Sequence, residues 1–142
     1  MDECHEIQVS IEEPRSDADL VGLKMELSAA PTHGFLEIWV DHSPYPSLCA
    51  LVNGAQGWLM CLRYDGDAGF SSRNPRYTGP ADATVQYRLG NGQTDEYPAA
   101  WAYPRKDVFE ALLHFARHRR VPDVIEWFND ASDGKKSPNE DL

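Results

Sequence analysis

The runs Leu48-Cys49-Ala50-Leu51-Val52 and Gly57-Trp58-Leu59-Met60-Cys61-Leu62-Arg63-Tyr64 stand on either side of Asn53-Gly54. Asn-Gly tolerates positive φ and is the strongest short-range hairpin signal, so the two runs read as the central strands of an antiparallel sheet. Upstream, Phe35 to Val40 has the aromatic and β-branched content of a neighbouring strand, ended by Asp41 and by Pro44 and Pro46. Ile7, Val9 and Ile11 alternate with Gln8, Ser10 and Glu12, the period of two that lays one face of a strand on a core. Pro14 stops that strand. Ser16 and Asp17 can cap a helix from Asp17 to Ala29, in which Leu20, Leu23 and Leu27 recur at spacings of three and four and Gly22 is a weak point.

Downstream, Asp65 to Ala81 is rich in Gly, Pro, Ser, Asn and Arg and reads as a long irregular loop. Thr84 to Leu89 and Thr94 to Tyr97 flank Gly90-Asn91-Gly92 as a second hairpin. Pro104 suits a helix start; Val108, Phe109, Ala111, Leu112, Phe115 and Ala116 give that helix a broad apolar face, and Arg117 to Arg120 place cations at its end. Pro122 forbids continuation, and Val124 to Phe128 reads as a last short strand. The expected fold is α+β: an antiparallel sheet with two main helices packed on one face, as one domain over residues 1–130 and a polar, flexible tail over 131–142. Trp39 and Trp58 lie in strand patterns and read as core, whereas Trp101 and Trp127 flank the second helix and are expected to pack it against the sheet.

The 142 residues are 42% hydrophobic, enough for one core without disulfide staples. Thirteen Lys and Arg oppose twenty-three Asp and Glu, and the net charge of -10 argues against nucleic acid or an anionic membrane as a direct partner. Ten of the acids fall between Asp2 and Asp41 against only Arg15 and Lys24, a surface suited to steering a basic partner. No basic, apolar leader opens the chain, so a cytoplasmic protein is expected.

Motifs for chemistry are weak. Cys4, Cys49 and Cys61 form no C-x-x-C, and Cys49 and Cys61 sit inside apolar runs that raise a thiol's pKa and leave it inert. Gly90-Asn91-Gly92 lacks the third glycine of a dinucleotide cradle, and no cofactor is expected. His114 and His118 share a helix face, but Arg117 and Arg119 beside them repel a cation, so no metal is expected. Asp41-His42-Ser43 would point alternate ways on a strand, and Glu12-Glu13, Asp65/Asp67 and Asp95-Glu96 are pairs that occur freely on solvated loops. No catalytic residue is assigned.

From Gly90-Asn91-Gly92 through Tyr97-Pro98, Ala102-Tyr103-Pro104, Ala111-Leu112-Leu113-His114-Phe115, Arg119-Arg120-Val121-Pro122 and Ile125-Glu126-Trp127, the chain resembles the first-numbered Imm family of immunity proteins from bacterial polymorphic toxin systems. Leu51-Val52-Asn53-Gly54 and Leu59 to Tyr64 extend the likeness to the central hairpin. The resemblance implies a protein that docks on a toxin domain and covers its active site without catalysis, the toxin being basic and acting on nucleic acid as a deaminase or nuclease. It also implies that Tyr97, Pro98, Phe115, Arg120, Pro122, Glu126 and Trp127 define the fold. His118 stands where family members often have Gly, so the helix end is expected to close differently. For partner contact, Asp65, Asp67, Phe70, Arg73, Arg76 and Tyr77 of the long loop carry charge and aromatic anchors, and Glu12, Glu13, Asp17 and Asp19 form the acidic alternative. The rival classes are a small hydrolase and an acidic regulatory or assembly module.

Overall fold

The computed structural model describes residues 6–12, 17–42 and 44–142, with side chains described for 18–42 and 44–142. The chain runs β1 (Glu6–Glu12), α1 (Asp17–Ala29), β2 (Phe35–Asp41), β3 (Ser47–Asn53), β4 (Gln56–Leu62), β5 (Phe70–Arg73), β6 (Thr84–Arg88), β7 (Thr94–Pro98), a 3-10 turn (Ala99–Trp101), β8 (Tyr103–Pro104), α2 (Arg105–His118), β9 (Glu126–Asn129) and a second 3-10 turn (Pro138–Asp141). The main sheet has the order β1-β2-β3-β4-β5-β9, with β8 beside β4, while β6 and β7 form a separate two-stranded sheet. The architecture is the expected α+β domain. Its pairings are antiparallel except that β1 runs parallel to β2, because α1 intervenes as the crossover that a parallel pair needs.

Alternation sets the two faces of the sheet. Leu36, Ile38, Val40, Leu48, Ala50, Val52, Leu59 and Cys61 face a core closed by Leu23 and Leu27 of α1 and by Val108, Ala111, Leu112 and Phe115 of α2. Cys49, Leu51 and Trp58 face the other way, onto a second core closed by Val85 and Tyr87 of β6 together with Ala99 and Ala102. The second hairpin is therefore a cover over the back of the sheet. Buried Glu37 anchors it: its carboxylate accepts from Gly90 N at 2.8 Å and from Trp39 Nε1 at 2.9 Å. Glu37 is accordingly inside the protein, not part of an acidic surface.

Several local readings change. Asn53 pairs with Gln56, so the β3–β4 loop is Gly54-Ala55, with Gly54 at φ 59. The α2 end closes on Arg119 at φ 58, whose N–H donates to Phe115 O at 2.9 Å, so a non-glycine takes the left-handed position. The region read as one long loop contains β5, whose polar Ser71-Ser72-Arg73 gives no apolar signal and which is a strand because β4 and β9 flank it. Trp101 lies against the second core, away from α2, whereas Trp127 packs partly buried against the helix-side core.

The largest departure is at residues 131–142, expected as a flexible tail. Asn139 clasps Val121 by accepting from its N–H and donating to its carbonyl, both at 2.8 Å, and Ser137 with Glu140 forms a capping box on the last turn. The segment returns because Arg63 requires it. This guanidinium is 1% exposed; it pairs with Asp67 at 2.8 Å, Asp133 at 2.7 Å and Asp141 at 2.8 Å. Asp67 also accepts from Arg63 N at 2.9 Å and Gly69 N at 3.0 Å. Gly69, at φ 83, is needed there, since a Cβ would stand 2.6 Å from Cys61 O.

Arg63 holds the Asp67 carboxyl below the usual range, and the Asn129 amide together with Arg63 holds Asp133 down to about 2. Both folded-state values lie below the unfolded value of about 4, so their stabilisation is complete above about pH 4 and is lost as pH falls toward 2. Asp67→Asn should destabilise the protein by about 3 kcal/mol at pH 7, because it leaves a buried cation short of a counter-charge. The same variant should flatten the loss of stability between about pH 4 and pH 2, measured as urea midpoints across that range. An unchanged slope would mean that the cluster does not govern acid unfolding.

Candidate partner-binding surface

The second cover is narrower than the sheet. β6 crosses β2 and β3, and the turn Ala99–Trp101 lies over β5, leaving Phe128 of β9 52% exposed. Ser71 pairs with Phe128 and Arg73 with Glu126, so these four side chains share the face that carries the hairpin. Arg73 and Phe128 are diagonal neighbours, within reach of each other across the two strands.

Arg73 Cζ lies 3.6 Å from the Trp101 ring centroid and 4.7 Å from that of Phe128. Trp101 in turn stacks on Tyr97 at 5.8 Å, and Tyr97 stacks on Trp58 at 4.6 Å. A column of flat groups thus runs from Trp58 in the core to Phe128 at the surface, with a guanidinium in its outer part. Backbone ties hold it in place. Ser72 Oγ donates to Trp101 O at 2.9 Å, Asn74 donates to Ala100 O and Ala102 O at 2.9 Å each, and Tyr103 Oη donates to Arg73 O at 2.6 Å while accepting from Glu126 N at 2.9 Å. Burial lowers the Arg73 pKa, opposed by the charge of Asp130, and burial with Asp95 beside it pushes the Tyr97 hydroxyl up to about 12.

Of the loop residues put forward for partner contact, Arg73 belongs to this column. Arg76 is exposed, with Asp107 at 3.8 Å. Tyr77 is half-buried against the second core and donates its hydroxyl to Pro80 O at 2.7 Å. Asp65 is exposed on the turn after β4. Asp67 and Phe70 are turned inward, Asp67 onto Arg63 and Phe70 to full burial, so neither presents a surface to a partner. Among the acidic alternatives, Asp19 is exposed, whereas Glu13 and the side chains of Glu12 and Asp17 lie outside the described residues. Glu12 ends β1, four strand spacings from β5. That is about 19 Å, so the acidic and arginine-bearing regions are separate.

Among the motif residues, Phe115 is fully buried, Tyr97 is in the column, and Pro98, Pro122 and Trp127 are half-buried, while the side chains of Arg120 and Glu126 face solvent. Trp101 and Phe128 were not picked out as contact residues. Alternation past Trp127 carried the signal for Phe128; for Trp101 the fold had to be known, since its neighbours come from β5 and β7.

The cysteines and the Asp41-His42 pair are engaged structurally. Burial pushes the Cys61 thiol up to about 12 and raises Cys49 well above its ordinary value, with Glu37 adding to the effect, so neither is poised as a nucleophile. His42 Nε2 is bonded to Phe115 O at 2.9 Å, and Asp41 accepts from Ser47 Oγ, so these two belong to separate hydrogen bonds; Ser43 lies outside the described residues. Among the described residues no cluster of three or more metal-ligating side chains occurs that could hold an ion. The three carboxylates that do converge enclose the guanidinium of Arg63. No helix among the described residues is long and apolar enough to cross a membrane.

A family model described as Immunity protein Imm1 matches residues 8–129. No curated protein matches the chain.

Trp127 and Phe128 are adjacent on one strand but serve opposite faces, so their truncation should separate stability from surface. Trp127→Ala should cost about 3 kcal/mol, the low end for a core Trp because the side chain is partly exposed. Phe128→Ala should cost about 1 kcal/mol, for a half-exposed ring and its contact with Arg73. Denaturant unfolding of both variants decides this, and equal losses would place Phe128 in the core instead of on a face.

Proposed function

The chain belongs to the Imm1 family of immunity proteins, and on that footing we propose that it binds a cognate toxin domain and covers the toxin's active site, neutralising it without catalysis. The family match over residues 8–129 carries the reading. Charge supplies the mechanism. A toxin that deaminates or cuts nucleic acid needs a basic substrate groove, and a cytoplasmic protein of net charge -10 is drawn into such a groove as a substitute polyanion. The setting is a bacterial polymorphic toxin system, in which the producing cell keeps the inhibitor beside the toxin.

Two surfaces share the work. Acids of the first forty residues, Asp19 among them and Glu12, Glu13 and Asp17 by sequence, contribute to the long-range field. Arg73 and Phe128, which share the hairpin face, and the loop residues Arg76, Tyr77 and Asp65 supply the aromatic and arginine anchors that dominate interface energetics once contact is made. Loop residues on a rigid scaffold are also where discrimination between toxins is gained.

Co-expression with the toxin domain encoded beside this chain should restore growth to cells that the toxin alone kills. The purified pair should associate about tenfold or more slowly at physiological salt than at low salt, read by stopped-flow fluorescence. Failure to protect would remove the assignment to that toxin; protection with a salt-independent rate would remove only the steering mechanism.

A further inference from the structure

We propose that the outer edge of β1 is a docking edge for a further strand, an extended segment of the toxin with Lys or Arg at its two ends. The proposal deepens the reading above and rests on it for the partner's identity; the mode of binding it assigns rests on the sheet's topology. β1 ends the main sheet and pairs with β2 along all of its length, from Glu6 with Phe35 to Glu12 with Asp41. Among the described residues no strand pairs with its other side. Successive residues of a strand direct their N–H and C=O groups to alternate sides, so the outer side of β1 presents a row of donors and acceptors that another strand can take up.

Edges that stay free are usually guarded by Pro, by Lys, by a bulge or by being very short. The opposite edge, β9, has only four residues. β1 has seven, Glu-Ile-Gln-Val-Ser-Ile-Glu, without Pro, Gly or Lys, and its register with β2 runs one to one with no bulge. That is about 23 Å of regular, unguarded edge. Main-chain bonds along it would supply affinity, and the residues opposite each other across the new pair would supply specificity.

Charge decides between a foreign strand and a second copy. Two β1 strands laid antiparallel over their full length would set Glu6 opposite Glu12 at both ends, and like charges directly opposite are destabilising. A shift of one residue would set apolar positions against polar ones, and a shift of two would shorten the ladder. Lys or Arg at the two ends of a foreign strand turns both repulsions into attractions. The surroundings keep the same sign. Between Asp2 and Asp41 ten acids stand against Arg15 and Lys24, β2 holds no Lys or Arg, and the cations that end α2 sit on a helix laid over β2, β3 and β4, inward of β1.

The first test needs no toxin. The isotope-labelled protein is titrated with the capped peptide Lys-Thr-Val-Thr-Val-Thr-Lys, with its counterpart ended by Glu, and with the Lys peptide N-methylated at every residue between its ends, which keeps the charge and removes the ladder donors. The Lys peptide should shift the β1 amide signals with half-saturation on the order of 1 mM, and at about 90% occupancy should slow hydrogen exchange at alternate β1 residues about tenfold. The Glu peptide should bind about tenfold or more weakly, and the N-methylated peptide should leave β1 unchanged. No saturable shift on β1, equal binding by the Glu peptide, or an undiminished response to the N-methylated one would overturn the proposal, as would a wild-type chain that sediments as a dimer with its β1 amides protected. Against the toxin encoded beside this chain, Glu6→Lys with Glu12→Lys should speed dissociation about tenfold or more. The exposed pair Asp82→Lys with Glu110→Lys changes the net charge equally and should slow association while leaving dissociation within about twofold. If wild type fails to bind that toxin, the functional reading falls while the peptide result stands; if the two double variants dissociate at the same rate, the strand edge falls alone.

Discussion

Strand β3 must be dry on both sides. Its residues Ser47 to Val52 are buried without interruption, with Leu48, Ala50 and Val52 to one face and Cys49 and Leu51 to the other. A strand of this kind is usual inside a sheet covered by helices on both faces. Here the chain supplies two helices on one side and only a short hairpin with a 3-10 turn on the other. The three layers, the position of the hairpin and the uncovered β9 all follow from that requirement being met by unequal covers.

Unequal covers need different fastenings. The helix side is held by apolar burial, which is non-directional and needs no polar bond. The hairpin side offers fewer buried side chains, and its turn is fixed by the Glu37 carboxylate reaching Gly90 N. At the sheet's other end Arg63 gathers Asp67, Asp133 and Asp141, which makes the segment after β9 part of the fold. Arg105 does the same at the opposite end of the strands, donating to Gly54 O at 3.1 Å and Pro31 O at 2.7 Å and so joining the β3–β4 turn to the exit of α1. Each of these groups satisfies backbone or charge that would otherwise be buried alone.

The elements legible in the sequence are those whose signal is local: β1, α1 and β2, the apolar pair β3 and β4, the hairpin around Gly90-Asn91-Gly92, α2 with Pro104 at its start, and the short β9. What escaped is what depends on distant partners. Phe70-Ser71-Ser72-Arg73 carries no strand pattern, because its polar residues are satisfied by Trp101 O, Asp130 and a ring stack contributed from far along the chain. The polar run after Asn129 has the composition of a loose end, yet Arg63 lies seventy and seventy-eight positions away from the two carboxylates that fix it. Which loop side chains are exposed was not legible from residue type. Arg73 and Arg76 do reach the surface, while Asp67 and Phe70, chosen for the same reasons, serve the interior.

The pairing of β5 with β9 has a consequence in time. Domains assemble as their segments leave the ribosome, and β2, β3 and β4 are consecutive, so their hairpins can form early. Arg73 is made near the middle of the chain, but Trp101 reaches it only after the second hairpin, and Phe128 only after α2 has been completed. A half-made chain therefore has a central sheet and an unfinished stack around Arg73. The stack on Arg73 is thus one of the last parts of the domain to be completed, later than the sheet it rests on.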